Sequence, residues 1–218
     1  MDKRDRILKR PSYCGDRIRW EYIRKYLLRR FVKSKILDAG CGAGEFKELC
    51  ESKGYEYIGI DIEPRADFVQ KADICNLPFE GETFDAIIAV DVLEHIQDDS
   101  KAVKELKRVL KTDGLLLIHV PNKHQKHILI ENPEEQHDHV RHGYSPLDIQ
   151  QLFFDFRSCN YYPTFDERES IAWDLHYFFR NNQQITFEQV NTLIHSMVDE
   201  EKWENDWIHY GWITICRK

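Results

Sequence analysis

The chain has 218 residues, 42% hydrophobic and 32% charged, with a formal net charge of −7. That length and balance suit one soluble globular domain with a sizeable core, and the acidic total argues against a general nucleic-acid binder. No apolar run nears the roughly 20 residues that cross a bilayer, and the charged start Met1-Asp2-Lys3-Arg4-Asp5-Arg6 has no apolar stretch behind it, so neither a membrane span nor a secretory leader is expected.

The charge is uneven. Residues 1–35 hold 13 Lys and Arg against 4 Asp and Glu, and the remainder holds 18 against 34. A basic opening of this kind either attracts an anionic substrate or forms a solvated helix face near the acidic body. Cys14, Cys41, Cys50, Cys75, Cys159 and Cys216 are scattered without a C-x-x-C pair, which reads as reduced thiols in the cytoplasm.

In chain order, residues 16–31 place Ile18, Tyr22, Ile23, Tyr26, Leu27 and Phe31 at helical spacing, so an amphipathic helix precedes the first strand at 35–38. A glycine-rich turn leads into a helix carrying Phe46, Leu49 and Cys50, which Gly54 ends. Strands follow at 55–60, 68–71 and 84–90, the last apolar enough to be buried on both faces. A helix at 100–110 leads through an Asp113-Gly114 turn to a strand at 115–120. Residues 121–144 form a long polar stretch with five histidines, and loops of that length are usually functional or mobile. Ser145-Pro146-Leu147-Asp148 reads as a capped helix start, with the helix running to about 154. A strand at 157–165, helices near 169–180 and 186–203, and a closing strand at 210–216 complete the chain. Strands alternating with helices imply an α/β fold with a mostly parallel sheet, right-handed crossovers and a ligand site at the carboxyl ends of the strands.

The sharpest local signal is Ile36-Leu37-Asp38-Ala39-Gly40-Cys41-Gly42-Ala43-Gly44-Glu45-Phe46. A buried strand turns into a helix through glycines that leave the backbone open to a ligand. The dinucleotide fingerprint G-x-G-x-x-G would place its third glycine at Glu45, and no G-x-x-x-x-G-K-[ST] occurs. A carboxylate at Asp38 is poorly placed for pyrophosphate and well placed for an ammonium or sulfonium. Asp61, Asp73 and Asp91 also fall at or just after predicted strands, forming with Asp38 an acidic rim.

These segments together resemble the class I S-adenosylmethionine-dependent methyltransferases. Residues 36–46 resemble the family's first motif and Tyr57-Ile58-Gly59-Ile60-Asp61 its second. Ala72-Asp73-Ile74 with Leu77-Pro78-Phe79 resembles A-D-x…L-P-F, and Phe84-Asp85-Ala86-Ile87-Ile88 with Val92-Leu93-Glu94-His95 resembles F-D-x-V/I…V-L-E-H. Residues 106–118 resemble L-x-P-G-G-x-L-x-I, except that Thr112-Asp113 replaces Pro-Gly in a turn. The resemblance covers about residues 35–122. It implies a doubly wound Rossmann-like sheet with helices on both faces and an antiparallel last strand. The division is then a helical segment at 1–34, a cofactor-binding core at 35–122 and an acceptor-side half at 123–218.

S-adenosyl-L-methionine is the implied cofactor. Asp38, Ala39, Gly40 and Gly42 would face its methionine portion and Asp61 its ribose hydroxyls. Ile62 would pack on the adenine, with Asp73 and the Ile74 backbone at its edge, and Val90 and Asp91 would stand near the methyl group. The cofactor carries the activated group, so the protein has to align an acceptor and exclude water.

Histidine suits the removal of an acceptor proton because it titrates near neutral pH. His95 either acts there or orients the helix that follows it. His119, inside a strand, reads as a satisfied buried histidine. His137-x-His139-x-x-His142 matches no standard zinc spacing, so no metal is expected. His139-Val140-Arg141-His142-Gly143-Tyr144-Ser145 resembles the H-x-R-x-Y-S/T segment of small-molecule and sugar-pathway members, making His139 and His142 catalytic or acceptor-binding candidates; anchoring of the loop to the core is the alternative. The aromatic stretch at 169–206 either covers the acceptor, forms a homodimer contact or is plain helical core. The expected activity is methyl transfer to an O or N atom of a small-molecule acceptor, a sugar or other biosynthetic intermediate being the first choice, with RNA or nucleotide methylation as the rival suggested by the basic opening and a non-catalytic S-adenosylmethionine-binding protein as the other alternative.

Overall fold

The computed structural model of the protein describes residues 19–27, 34–123, 139–164 and 211–218. The helices expected near 169–180 and 186–203, together with Cys14, His124, His127 and His137, lie outside the described residues.

Seven strands form one sheet: β1 (Lys35–Ala39), β2 (Glu56–Asp61), β3 (Gln70–Lys71), β4 (Phe84–Val90), β5 (Leu110–Pro121), β6 (Ser158–Thr164) and β7 (Gly211–Arg217), in the order β3-β2-β1-β4-β5-β7-β6. The first five run parallel, and β7 inserts antiparallel between β5 and β6. The helices are α1 (Lys47–Ser52), α2 (Asp99–Val109) and α3 (Pro146–Leu152), preceded by a helical segment from residue 19 that widens to a π-helix over Ile23–Leu27.

Alternation along the strands divides the core between the two faces of the sheet. Leu37, Ile87 and Leu116 pack with Leu106 of α2 and Ile149 of α3, while Ile36, Ile88 and Leu117 pack with Leu49 of α1 and Ile23 and Leu27 of the N-terminal segment. Helices therefore cover both faces, as expected. The N-terminal segment also stacks Tyr26 on Tyr162 of β6, ring centres 5.0 Å apart, and buries Trp20, which the apolar spacing did not include.

Two expectations are corrected. Asp113-Gly114 is not a break between α2 and a later strand. β5 starts at Leu110, opposite Phe84, and a register shift between Phe84 and Ala86 absorbs the extra residues, with Asp113 at φ 62°. A bulge, not a reversal, satisfies the chain there. The cysteines are also not all thiols: Cys159 and Cys216 are register partners on β6 and β7 and form a disulfide, with Cα atoms 4.1 Å apart. Antiparallel pairing of strands 57 positions apart brings them together, which no spacing in the sequence reveals. Cys41, Cys50 and Cys75 are free. No helix among the described residues is long and apolar enough to cross a membrane.

Candidate functional site

The parallel strands bring four acids to one edge. Asp38 lies near the end of β1, Asp61 ends β2, Asp73 follows β3 and Asp91 follows β4, in neighbouring strands. The loop after β1 is held by Gly40 and Cys41, whose N–H groups donate to the Ile60 carbonyl at 2.8 and 3.0 Å. Gly40 has φ 74°, and a Cβ there would overlap the Val92 side chain, so only glycine lets the loop pass this close to the segment that follows β4. Gly42, at φ 54°, has nothing within 4 Å of a Cβ position. The backbone is open on that side, as a ligand cradle requires.

Asp61 closes the cradle. Its Oδ2 accepts from Gly42 N–H at 2.7 Å and its Oδ1 from Glu63 N–H at 2.9 Å. Each oxygen keeps a further lone pair. The neighbouring Ile62 is 63% exposed, an apolar side chain standing beside the rim. Asp73 is exposed, and its Oδ1 accepts from Cys75 N–H at 2.8 Å. Ala39 and Ile74 are buried core side chains, so only their backbone groups can serve a ligand.

Asp38 is the unusual member. It is 1% exposed, accepts a hydrogen bond from the Tyr57 hydroxyl at 2.7 Å, and has no ion pair with a cation among the described residues. Burial pushes its carboxyl up to about 7; the Tyr57 bond opposes this, and the nearby Asp61 and Glu45 charges add to it. Among the described residues this group has no positive partner.

Asp91 has one. Burial disfavours its charge, but Arg19 and His119 together outweigh that and hold its carboxyl below the ordinary range. Arg19, 6% exposed, forms an ion pair with Asp91, and His119 bonds the other carboxylate oxygen. Burial keeps His119 neutral by lowering its pKa. The ionised Asp91 must then receive the Nδ1 proton, and the bare Nε2 accepts from the Thr164 hydroxyl at 2.9 Å. His119 is thus a satisfied buried histidine, as expected. Asp91 also sits at φ 48°, in the left-handed region that few non-glycine residues occupy, directly after β4 and Val90.

The histidine candidates divide. His95 ends a single turn, Leu93–His95, after β4, and its ring meets His139 edge-on, centres 4.6 Å apart. Val140 N–H donates to the Glu94 carbonyl at 3.0 Å, which holds the loop of residues 139–144 over that turn. His139 and the exposed His142 line a cavity of about 610 Å³ with Lys123, Arg141, Tyr144 and Asp99. Arg141 and Tyr144 are anchors: Arg141 donates to the Ile96 and Gln97 carbonyls at 2.7 and 3.0 Å and pairs with Asp99, and the Tyr144 hydroxyl donates to Asp99 at 3.0 Å. The loop is therefore tied to the core by its Arg and Tyr, leaving two histidines at the cavity.

Three residues of this edge carried no role in the sequence reading. Tyr57 and Glu94 stood within quoted motifs, and Arg19 lies one helical turn before Tyr22 and Ile23, on the apolar face of its helix. A lone arginine on such a face is the signal that could have found it.

Comparison with known proteins agrees with this architecture. A sequence-family model described as a methyltransferase domain matches residues 16–207. An uncharacterized protein of Methanocaldococcus jannaschii is 34% identical over 137 residues, 59% of this chain and 58% of that one. A probable tRNA methyltransferase 9B of Homo sapiens is 35% identical over 116 residues, 49% of this chain and 26% of that one. The chain thus spans from a quarter to just over half of these relatives. The crystal structure of a SAM-dependent methyltransferase from Archaeoglobus fulgidus superposes with a TM-score of 0.63 at 20% identity, covering 91% of this chain and 92% of that chain. That likeness shows the class I methyltransferase fold. With the family match over most of its length, the chain belongs to the methyltransferase domain family.

Proposed function

We propose that the protein transfers a methyl group from S-adenosylmethionine to an oxygen or nitrogen atom of a small molecule, a sugar or other biosynthetic intermediate being the first choice. The observation that carries this reading is Asp38, a buried carboxylate without a cationic partner among the described residues, beside a glycine loop open at Gly42. A ligand bearing an ammonium supplies that partner. Asp61 has lone pairs free for two ribose hydroxyls, and Ile62 offers an exposed apolar face for the adenine. Asp73 and the Ile74 N–H meet the adenine edge, while Val90 and Asp91 bound the methyl end. The bound cofactor supplies a methyl group already activated on sulfur.

The chain's own part is positioning. The 610 Å³ cavity takes the acceptor, and His142 takes the proton it releases. His139 faces the same cavity and His95 supports it through the ring contact. Arg141 and Tyr144 hold the loop so that the acceptor atom is presented in one orientation.

RNA methylation is the second reading. It is favoured by the relative named as a tRNA methyltransferase and by the 13 basic residues among the first 35. A screen of sugars, amines and short RNAs for conversion of S-adenosylmethionine to S-adenosylhomocysteine separates the two. Turnover on a small acceptor supports the first reading. Turnover only on RNA, with binding that falls steeply as salt rises, overturns it in favour of the second.

A further inference from the structure

Glu94, His95 and His139 offer one carboxylate oxygen and two imidazole nitrogens that all lie within 4.8 Å of one another. They come from two segments, the turn after β4 and the loop of residues 139–144. The Val140-to-Glu94 backbone bond and the two carbonyls bound by Arg141 lock these segments together. Glu94 is 1% exposed, yet its Oε2 is buried with no hydrogen-bond partner among the described residues. A buried carboxylate that stands beside two imidazoles and keeps one oxygen without a hydrogen-bond partner among the described residues is poorly explained by a plain stack of two histidine rings.

We propose that Glu94, His95 and His139 bind one divalent transition-metal ion at the carboxyl end of β4. Two imidazoles with one carboxylate suit zinc, manganese, cobalt or nickel; calcium and magnesium prefer all-oxygen sets. Ligands on a tetrahedral zinc stand about 3.3 Å apart, from bonds of about 2.0–2.1 Å. Closing from 4.8 Å takes rotation of the exposed His95 and half-buried His139 side chains, while the buried Glu94 stays fixed. The triad differs from the His137/His139/His142 spacing in the sequence, because Glu94 and His95 join only when the loop folds over β4.

The consequence for chemistry rests on the proposed methyl transfer. Since His139 also lines the cavity, an ion there contacts an acceptor oxygen and lowers its hold on its proton. His142 stands outside the triad and remains the proton acceptor.

The test uses the 218-residue chain stripped with a chelator and titrated with zinc against a competing chelator, and with cobalt followed by absorption. One equivalent is expected, with a cobalt spectrum free of thiolate-to-metal absorption, which separates this site from binding at the free thiols of Cys41, Cys50 and Cys75. Glu94→Gln and His139→Ala should each weaken zinc binding by about 10-fold or more while far-ultraviolet circular dichroism is unchanged. The isosteric Gln and a substitution on a loop keep the fold, so neither result depends on a core change. Absence of a stoichiometric site in the wild-type chain, thiolate absorption with cobalt, or undiminished binding in both variants overturns the proposal. S-adenosylmethionine binding measured in parallel reports on the methyl-donor reading, so either can fail alone.

Discussion

Replacing Asp38 by Asn separates stability from ligand binding. In the free protein the carboxyl is held at about 7 against an ordinary 3.8, chiefly by burial. That difference corresponds to about 4 kcal/mol opposing ionisation once the pH is well above 7. The sign follows from the raised value. The stability this group contributes is fully present below about pH 4 and is lost as pH rises through about 7. Asn does not titrate, but its buried NH2 group lacks a ready acceptor, which returns about 1–3 kcal/mol of the gain. Asp38→Asn should therefore resist urea better than the wild-type chain at pH 8, by about 1–3 kcal/mol, with the advantage vanishing near pH 5. Its affinity for S-adenosylmethionine should fall about 10- to 100-fold, the worth of a charge-assisted contact of about 1.5–3 kcal/mol. In the wild-type chain, affinity should drop about tenfold from pH 8 to pH 6, where about a tenth of Asp38 is ionised. Urea titrations without ligand, and calorimetry at pH 6, 7 and 8 in two buffers of different ionisation enthalpy, measure all of this. Equal affinity in variant and wild type, or wild-type affinity flat across that range, would refute the role of Asp38.

Asp61→Ala should weaken S-adenosylmethionine binding by about 100-fold or more, from two charge-assisted bonds of about 1.5–3 kcal/mol each; circular dichroism should be unchanged, and undiminished affinity by calorimetry removes Asp61 from the site. Gly40→Ala forces a left-handed alanine against Val92, costing about 1–2 kcal/mol of backbone strain and about 1–3 kcal/mol of overpacking, read as a lower urea midpoint. Arg19→Met should cost about 1–3 kcal/mol, less than the loss for a fully buried pair, because the Asp91 side chain is 32% exposed and keeps His119. A neutral result there would mean that Asp91 tolerates its burial without the arginine.

Much of the cofactor half was legible because its signals are local. Strand β4 begins and ends where its apolar run does, and Ser145 with Asp148 forms the reciprocal capping box that the residue spacing called for. The acids at successive strand ends follow from parallel topology once the alternation of strands and helices is recognised. What failed were readings that needed register or distance. The Asp113-Gly114 dipeptide looks like a turn, yet the strand continues through it with a bulge. The Cys159–Cys216 bond depends on how β6 pairs with β7.

The order of elements, the glycine cradle and the acidic rim are written locally in the residues, because turn chemistry and hydrophobic period act over a few positions. Which charges find partners is settled by long-range packing. Asp91 receives Arg19 and His119 from segments 72 and 28 positions away, while Asp38, with a similar place at a strand end, receives only a tyrosine hydroxyl among the described residues. The same packing sets Glu94 beside His95 and His139. Burial makes each such pairing costly to leave incomplete, and burial is a property of the packed whole.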